Sequence, residues 1–283
     1  MITRFAPSPT GPLHLGHAFS ALTAWGLAQA AHGTFLLRIE DTDTERARPE
    51  WEAQIYDDLT WLGLTWPLPV RRQSDHMHSY AAALDALGAR GLVFPCDCNR
   101  ADIRAAATAP HEGEALTGPD GVIYPGTCRA RPYDSRQPGD ALRLNMGAAL
   151  IALGDAHGIS WTEIGPEHPG HHHLDPETLR CGVGDVVLAR RMTGTAAYHL
   201  AVTLDDAAQG ITLVTRGMDL CDATQIHVLL QHLMGLPTPV YHHHRLIRDE
   251  TGKRLAKRDD ARAIATYRAA GASPLDIRTM VGL

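Results

Sequence analysis

Two histidines three residues apart, His14 and His17, open an alanine-rich stretch. They follow the run Arg4-Phe5-Ala6-Pro7-Ser8-Pro9-Thr10-Gly11-Pro12-Leu13. If the stretch is a helix, both imidazoles lie on one face of its first turn. Free N–H groups and the positive end of the helix dipole gather at the same place, which suits a polyphosphate. Gly16 between them lets a flat ring approach the backbone, because no Cβ intervenes. Far along the chain, Gly252-Lys253-Arg254-Leu255-Ala256-Lys257-Arg258-Asp259 supplies a cationic loop. The two segments describe a site that grips a polyphosphate from both sides. The structural alternative is a pair of cap histidines on a solvated turn and a loop charged for solubility.

A second constellation is built on sulfur. Cys96 and Cys98 are followed by Cys128, with Tyr124 four residues before it. Three thiolates suit zinc, which favours four soft or borderline ligands in a tetrahedron. The residues alone leave the fourth ligand open between Tyr124 and a histidine such as His111, His171, His172 or His173. Three unligated buried cysteines are the bland alternative. Cys181 and Cys221 stand alone and read as core residues. The triplets His171–His173 and His242–His244 read as solvated loop or surface histidines rather than a second metal site.

The elements that must position these groups follow from pattern. Residues Phe35–Ile39 read as a short buried strand after the Gly33 turn. Segments 49–62 and 76–89 read as amphipathic helices. The stretch from 95 to 173 is rich in glycine, proline and turn residues and reads as an insertion. Asp185–Arg190, Tyr198–Thr203 and Ile211–Thr215 read as strands. Asp222–Met234 reads as a helix ended by Gly235 and Pro237. The alternation predicts an α/β sheet with helices on its faces, whose ligands bind beyond the carboxyl ends of the strands. The expected organisation is a Rossmann-like domain in two halves, 1–94 and 185–247. The insertion with the thiols fills 95–184, and the cationic loop with a short helical end fills 248–283.

Bulk composition sets bounds. The chain has 283 residues, 44% hydrophobic and 20% charged, ample for a buried core. No segment approaches the roughly 20 apolar residues of a membrane helix, and the N-terminus lacks an apolar signal region, so the cytoplasm is expected. Five cysteines, three of them clustered, fit a metal site in a reducing compartment better than a disulfide framework. The net charge of −6 argues against a broadly basic nucleic-acid binder. A local basic patch, such as the one around Lys253–Arg262, still allows RNA.

Together the motifs resemble a family. His14-Leu15-Gly16-His17 is similar to the HxGH signature of the class I aminoacyl-tRNA synthetases, and Arg254-Leu255-Ala256-Lys257-Arg258 to their KMSKS-type loop. Leu37-Arg38-Ile39-Glu40-Asp41-Thr42-Asp43 narrows the likeness to the glutamyl branch. The short chain and the cysteine pattern resemble the glutamyl-queuosine tRNA(Asp) synthetases, which lack the helical anticodon-binding domain of full-length glutamyl-tRNA synthetases.

The resemblance implies activation of L-glutamate by ATP as an adenylate, without tRNA. Transfer to the queuosine base in the anticodon of tRNA(Asp) would follow. It implies Pro7, His14, Gly16, His17, Arg254, Lys257 and Arg258 for ATP, with His14, His17 and Lys257 in the catalytic role. It implies Arg4, Ser8, Glu40, Tyr198 and Arg216 for glutamate. One structural zinc per chain would rest on Cys96, Cys98, Tyr124 and Cys128, magnesium would arrive with ATP, and a monomer is expected.

Alternatives stand beside these expectations. Glu40 could be a structural ion-pair partner of Arg38 or Arg46, and Tyr198 an ordinary strand aromatic. Asp41 and Asp43 read as capping or turn residues. Ala256 stands where the family often has serine, a loss of one hydrogen bond worth about 0.5–1.5 kcal/mol. Two rival functions remain: a truncated glutamyl-tRNA synthetase charging a 3′ end, or a catalytically silent paralogue that binds glutamate or ATP.

Overall fold

The computed structural model describes residues 1–108, 116–247 and 262–283. Three parallel strands start the core: β1 (Ile2–Phe5), α1 (Leu15–Ala30), β2 (Thr34–Ile39), α2 (Pro49–Trp61), β3 (Arg71–Arg72) and α3 (Met77–Ala89) run in sequence. Next come β4 (Val93–Cys96), α4 (Arg100–Thr108), the hairpin β5 (Thr117–Gly118) and β6 (Gly121–Val122), β7 (Ala141–Leu144) and α5 (Met146–Leu153). β8 (Ser160–Glu163), β9 (Gly170–His173), β10 (Val187–Ala189), α6 (Tyr198–Ala208) and β11 (Leu213–Gly217) follow. The last are α7 (Thr224–Met234), β12 (Val240–His244), α8 (Ile264–Ala269) and α9 (Pro274–Val281).

The strands pair in the orders β1-β2-β3 and β11-β12-β8-β9, with β11, β12 and β8 parallel. The two sheets meet edge to edge, because the Thr212 N–H donates to the Ile2 carbonyl at 3.0 Å. A third sheet, β10-β7-β4, is antiparallel. Strands from the expected insertion are thus bonded on both sides, β7 to β4 and β10 and β8 to β12. α1 packs on the first sheet through Leu15, Ala18, Phe19, Ala21, Leu22 and Ala24, and Ile247, Ile264, Ile277 and Val281 join that same core.

Several local expectations fail. Tyr198–Thr203 is the start of α6, not a strand. Nearly every residue from His199 to Asp206 is buried, polar ones included, and over so short a run the apolar Leu200–Val202 fits strand and helix alike. Cys181 is exposed on the π-helical turn Thr178–Val183 and Cys221 is half-buried, so neither is a core residue. Cysteine as a residue type favours burial, and tertiary placement overrides that preference at both positions. The triplet His242–His244 is not a solvated loop: it lies on β12, with His243 and His244 buried.

α2 carries a testable oddity. Asp58 is wholly buried, and neither carboxyl oxygen finds a hydrogen-bond partner among the described residues. Burial first, then the Asp57 carboxylate, pushes its pKa from 3.8 up to about 6, against the pull of Arg268. A carboxyl with a raised folded pKa loses stability as pH rises between those two values, since the unfolded chain ionises first. Asp58→Asn is expected to stabilise the protein by about 2 kcal/mol at pH 8 and to be neutral near pH 3.5. Urea unfolding at the two pH values checks this, and an equal difference at both would refute it.

Candidate active site

A cavity of about 450 Å³ opens where the β1 and β11 sheets meet. Its walls come from the carboxyl ends of β1, β2, β11 and β12 and from the N-termini of α1 and α6. That is the switch point of a doubly wound sheet, where strand ends and helix N-termini converge. Arg4, Pro7, Ser8, His14, Gly16, His17, Glu40, Tyr198 and Arg216 all line it. Arg254, Ala256, Lys257 and Arg258 lie outside the described residues, as does His111.

The histidine pair is built by the helix start. His14 is the N-cap of α1 and His17 the third residue within it. His14 Nδ1 accepts from the Gly16 N–H at 3.1 Å, and His17 Nδ1 accepts from the His14 N–H at 3.1 Å. The rings stack with centroids 3.8 Å apart. A Cβ on Gly16 would stand 3.0 Å from His14 Cε1, so glycine is what lets this ring fold back over the turn.

Beneath the cavity lies a buried charge network. Arg4 holds Asp206 in a two-pronged bond, Nε to Oδ1 at 3.0 Å and Nη2 to Oδ2 at 3.1 Å. Arg38, fully buried, donates to Asp206 at 2.7 Å and to Glu40 at 3.0 Å. Asp205 next door accepts from Arg71, Gln73 and Tyr80. Burial works against the Asp206 carboxylate, yet Arg4 and Arg38 overcome it and hold its pKa below the usual range. For Glu40 burial wins: its pKa is raised although Arg38 and Arg4 pull the other way. A cation arriving in the cavity beside Glu40 would offset that burial. The Glu40 N–H donates to the Pro7 carbonyl at 3.0 Å, which ties this carboxyl to the loop before α1.

Arg216 stands apart from Arg4. Its partners are His243, His227 and Thr224, with no carboxylate within salt-bridge distance among the described residues. The sequence does not single out Asp206, Thr224 or His227, and it offers His243 only within the triplet His242–His244. The adjacent Asp205 and Asp206 amid Leu200, Ala201 and Val202 were the available signal, because aspartates flanked by an apolar run need buried cationic partners.

The sulfur cluster forms as a separate group. The metal-binding atoms of Cys96, Cys98 and Cys128 lie within 4.8 Å of one another, on a small core of Phe94, Tyr124 and Ala141. Tyr124 Oη is 3.4 Å from Cys96 Sγ and 3.8 Å from Cys98 Sγ. The Arg143 guanidinium sits 4.1 Å over the Tyr124 ring. His171, His172 and His173 are engaged on β9, with Thr162, with the His168 carbonyl and Trp161 ring, and with the His157 carbonyl.

These features agree with what the chain is similar to. The family described as tRNA synthetases class I (E and Q), catalytic domain, matches residues 1–118 and 175–283. The chain is 61% identical to the glutamyl-Q tRNA(Asp) synthetase of Rhodobacter capsulatus, with all of both chains covered. It is 40% identical to that of Nitratidesulfovibrio vulgaris, over 97% of this chain and 83% of the relative. A solved glutamate tRNA ligase from Elizabethkingia meningosepticum, in complex with its amino acid, superposes with a TM-score of 0.76 at 28% identity. All of this chain is covered by that match, and 60% of the ligase. The chain belongs to the class I tRNA synthetases, in their glutamyl-Q tRNA(Asp) synthetase family, and is by that membership a ligase. Among the described residues no helix is long and apolar enough to cross a membrane.

Proposed function

We propose that the protein activates L-glutamate with ATP as glutamyl-adenylate and transfers glutamate to the queuosine base in the anticodon of tRNA(Asp). The observation that carries the reading is the single cavity uniting Arg4, Ser8, Glu40, Tyr198 and Arg216 with His14 and His17. Arg216, unneutralised, suits the side-chain carboxylate, and Glu40 suits the ammonium. Arg4, whose charge Asp206 already balances, adds N–H donors at the near wall. Ser8 and Tyr198 contribute hydroxyls. The glutamate α-carboxylate attacks the α-phosphorus, and pyrophosphate leaves. His14, His17 and the start of α1 face the phosphates, with Pro7 and Gly16 shaping the wall. Lys257, flanked by Arg254 and Arg258, follows the β and γ phosphates. Catalysis is positioning and charge neutralisation, with no general acid or base. Magnesium arrives with ATP, held by phosphates and water.

The thiol cluster fits one structural zinc. Three soft donors and a phenol oxygen converge, and four protein ligands would close the coordination shell. A tRNA substrate and reduced thiols suit the cytoplasm.

ATP–pyrophosphate exchange tests the reading. Exchange with glutamate is expected in the absence of tRNA, followed by transfer to queuosine-containing tRNA(Asp) and none to the queuosine-free form. Exchange that starts only once tRNA is added would refute tRNA-independent activation. Lys257→Ala should slow adenylate formation by about a hundredfold with glutamate affinity nearly unchanged. A variant with normal turnover would remove Lys257 from its role.

A further inference from the structure

The Arg216 guanidinium is held on three sides by lone pairs. Nε donates to His243 Nε2 at 3.0 Å, Nη1 to His227 Nδ1 at 2.8 Å and Nη2 to Thr224 Oγ1 at 2.7 Å. A protonated imidazole has no lone pair to offer, so both histidines serve in the neutral form. Their far nitrogens fix the tautomers. His243 turns Nδ1 to Glu163 Oε2. His227 Nε2 meets His199 Nδ1 at 3.0 Å, and His199 Nε2 reaches Asp120 Oδ1 at 3.4 Å in the β5–β6 turn. The chain Asp120–His199–His227–Arg216–His243–Glu163 therefore runs with one donor direction on each side of the arginine.

The surroundings support neutrality. Burial first, then Arg216, His199, Arg4 and His243, pushes the His227 pKa well below its ordinary value. Burial likewise lowers His243, together with Arg216 and His242, against the opposing Glu163. Arginine has five N–H groups, and two remain for a ligand after these three bonds. Arg4 differs, since it is bonded directly to a carboxylate, Asp206, which it shares with Arg38.

We propose that Thr224, His227 and His243 are specificity-determining positioning residues. They orient Arg216 through lone pairs without cancelling its charge, so that the carboxylate this cation meets is the substrate's. The inference rests on the reading of glutamate as the substrate. An acidic residue in place of any of the three would orient the guanidinium equally well. It would also supply the negative charge that now has to come from the ligand. Glutamine would then lose its disadvantage against glutamate.

Calorimetric dissociation constants for glutamate and glutamine test this on variant pairs that differ in charge alone. His227→Asn keeps an acceptor near the Nδ1 position, and His227→Asp adds a carboxylate there. The aspartate variant is expected to lower the glutamate-to-glutamine affinity ratio by about tenfold or more, and the asparagine variant to stay within about threefold of wild type. A purely structural role would move both alike, so equal ratios in the two variants overturn the proposal. If circular dichroism shows His227→Asp unfolded, Thr224→Asn and Thr224→Asp decide on the same criterion. Wild-type protein that binds glutamine as well as glutamate overturns the substrate reading itself, an outcome distinct from equal variant ratios.

Discussion

Arg216→Gln is expected to lower kcat/KM for glutamate in pyrophosphate exchange by about a thousandfold, while the value for glutamine changes far less. The arginine is 5% exposed, and its bonded neighbours are neutral. Removing it leaves the substrate carboxylate without its unpaired cation and facing an Arg4 already bonded to Asp206, a loss of about 3–5 kcal/mol. Glutamine brings no charge to be orphaned. Aspartate, one methylene short, is rejected on reach, a smaller penalty of roughly 1–3 kcal/mol. The measurement is the ratio of exchange efficiencies for the three amino acids in wild type and variant. An unchanged preference for glutamate over glutamine would move side-chain recognition to Arg4. That alternative starts at a disadvantage, because Asp206 already occupies two of the Arg4 donors.

The second large effect concerns the thiols. One tightly bound zinc per chain is expected, and Cys98→Ser is expected to lose it together with about 10 °C of melting temperature, equivalent to several kcal/mol in a chain of this size. Chelation of wild-type protein should reproduce the drop. Phe94, Tyr124 and Ala141 pack around the thiols, so three ligands released at once would also loosen this small core. A Cys98→Ser protein that keeps both metal and melting temperature would sink the assignment. Tyr124→Phe isolates the phenol oxygen. Metal affinity unchanged in that variant would assign the fourth position to water or to His111.

Much of the site was legible because it is local. His14, Gly16 and His17 act within one helix turn, where a cap, a close approach and a dipole are all consequences of adjacent residues. Glu40 follows β2 directly, and Cys96 and Cys98 are two apart at the end of β4. The start of α6 reads as a strand because six residues with an apolar run at Leu200–Val202 fit strand and helix alike, and only the longer segment to Ala208 shows the helical period. His243 and His244 were misplaced for a related reason. A polar run gives no hint of burial until its partners, here Glu163 and Ser20, are brought from elsewhere in the chain.

By itself the sequence determined the chemistry available: two cap histidines, two arginines, one acid, three thiols and a cationic loop, each in a recognisable local frame. Only the tertiary structure decided which charge stays free. Arg4 and Arg216 look equivalent in one dimension. In three, Arg4 meets Asp206 from 202 residues away, and Arg216 meets imidazoles from α7 and β12. Electrostatic energy depends on distance through space and on burial, and neither quantity is written in the order of residues along a chain.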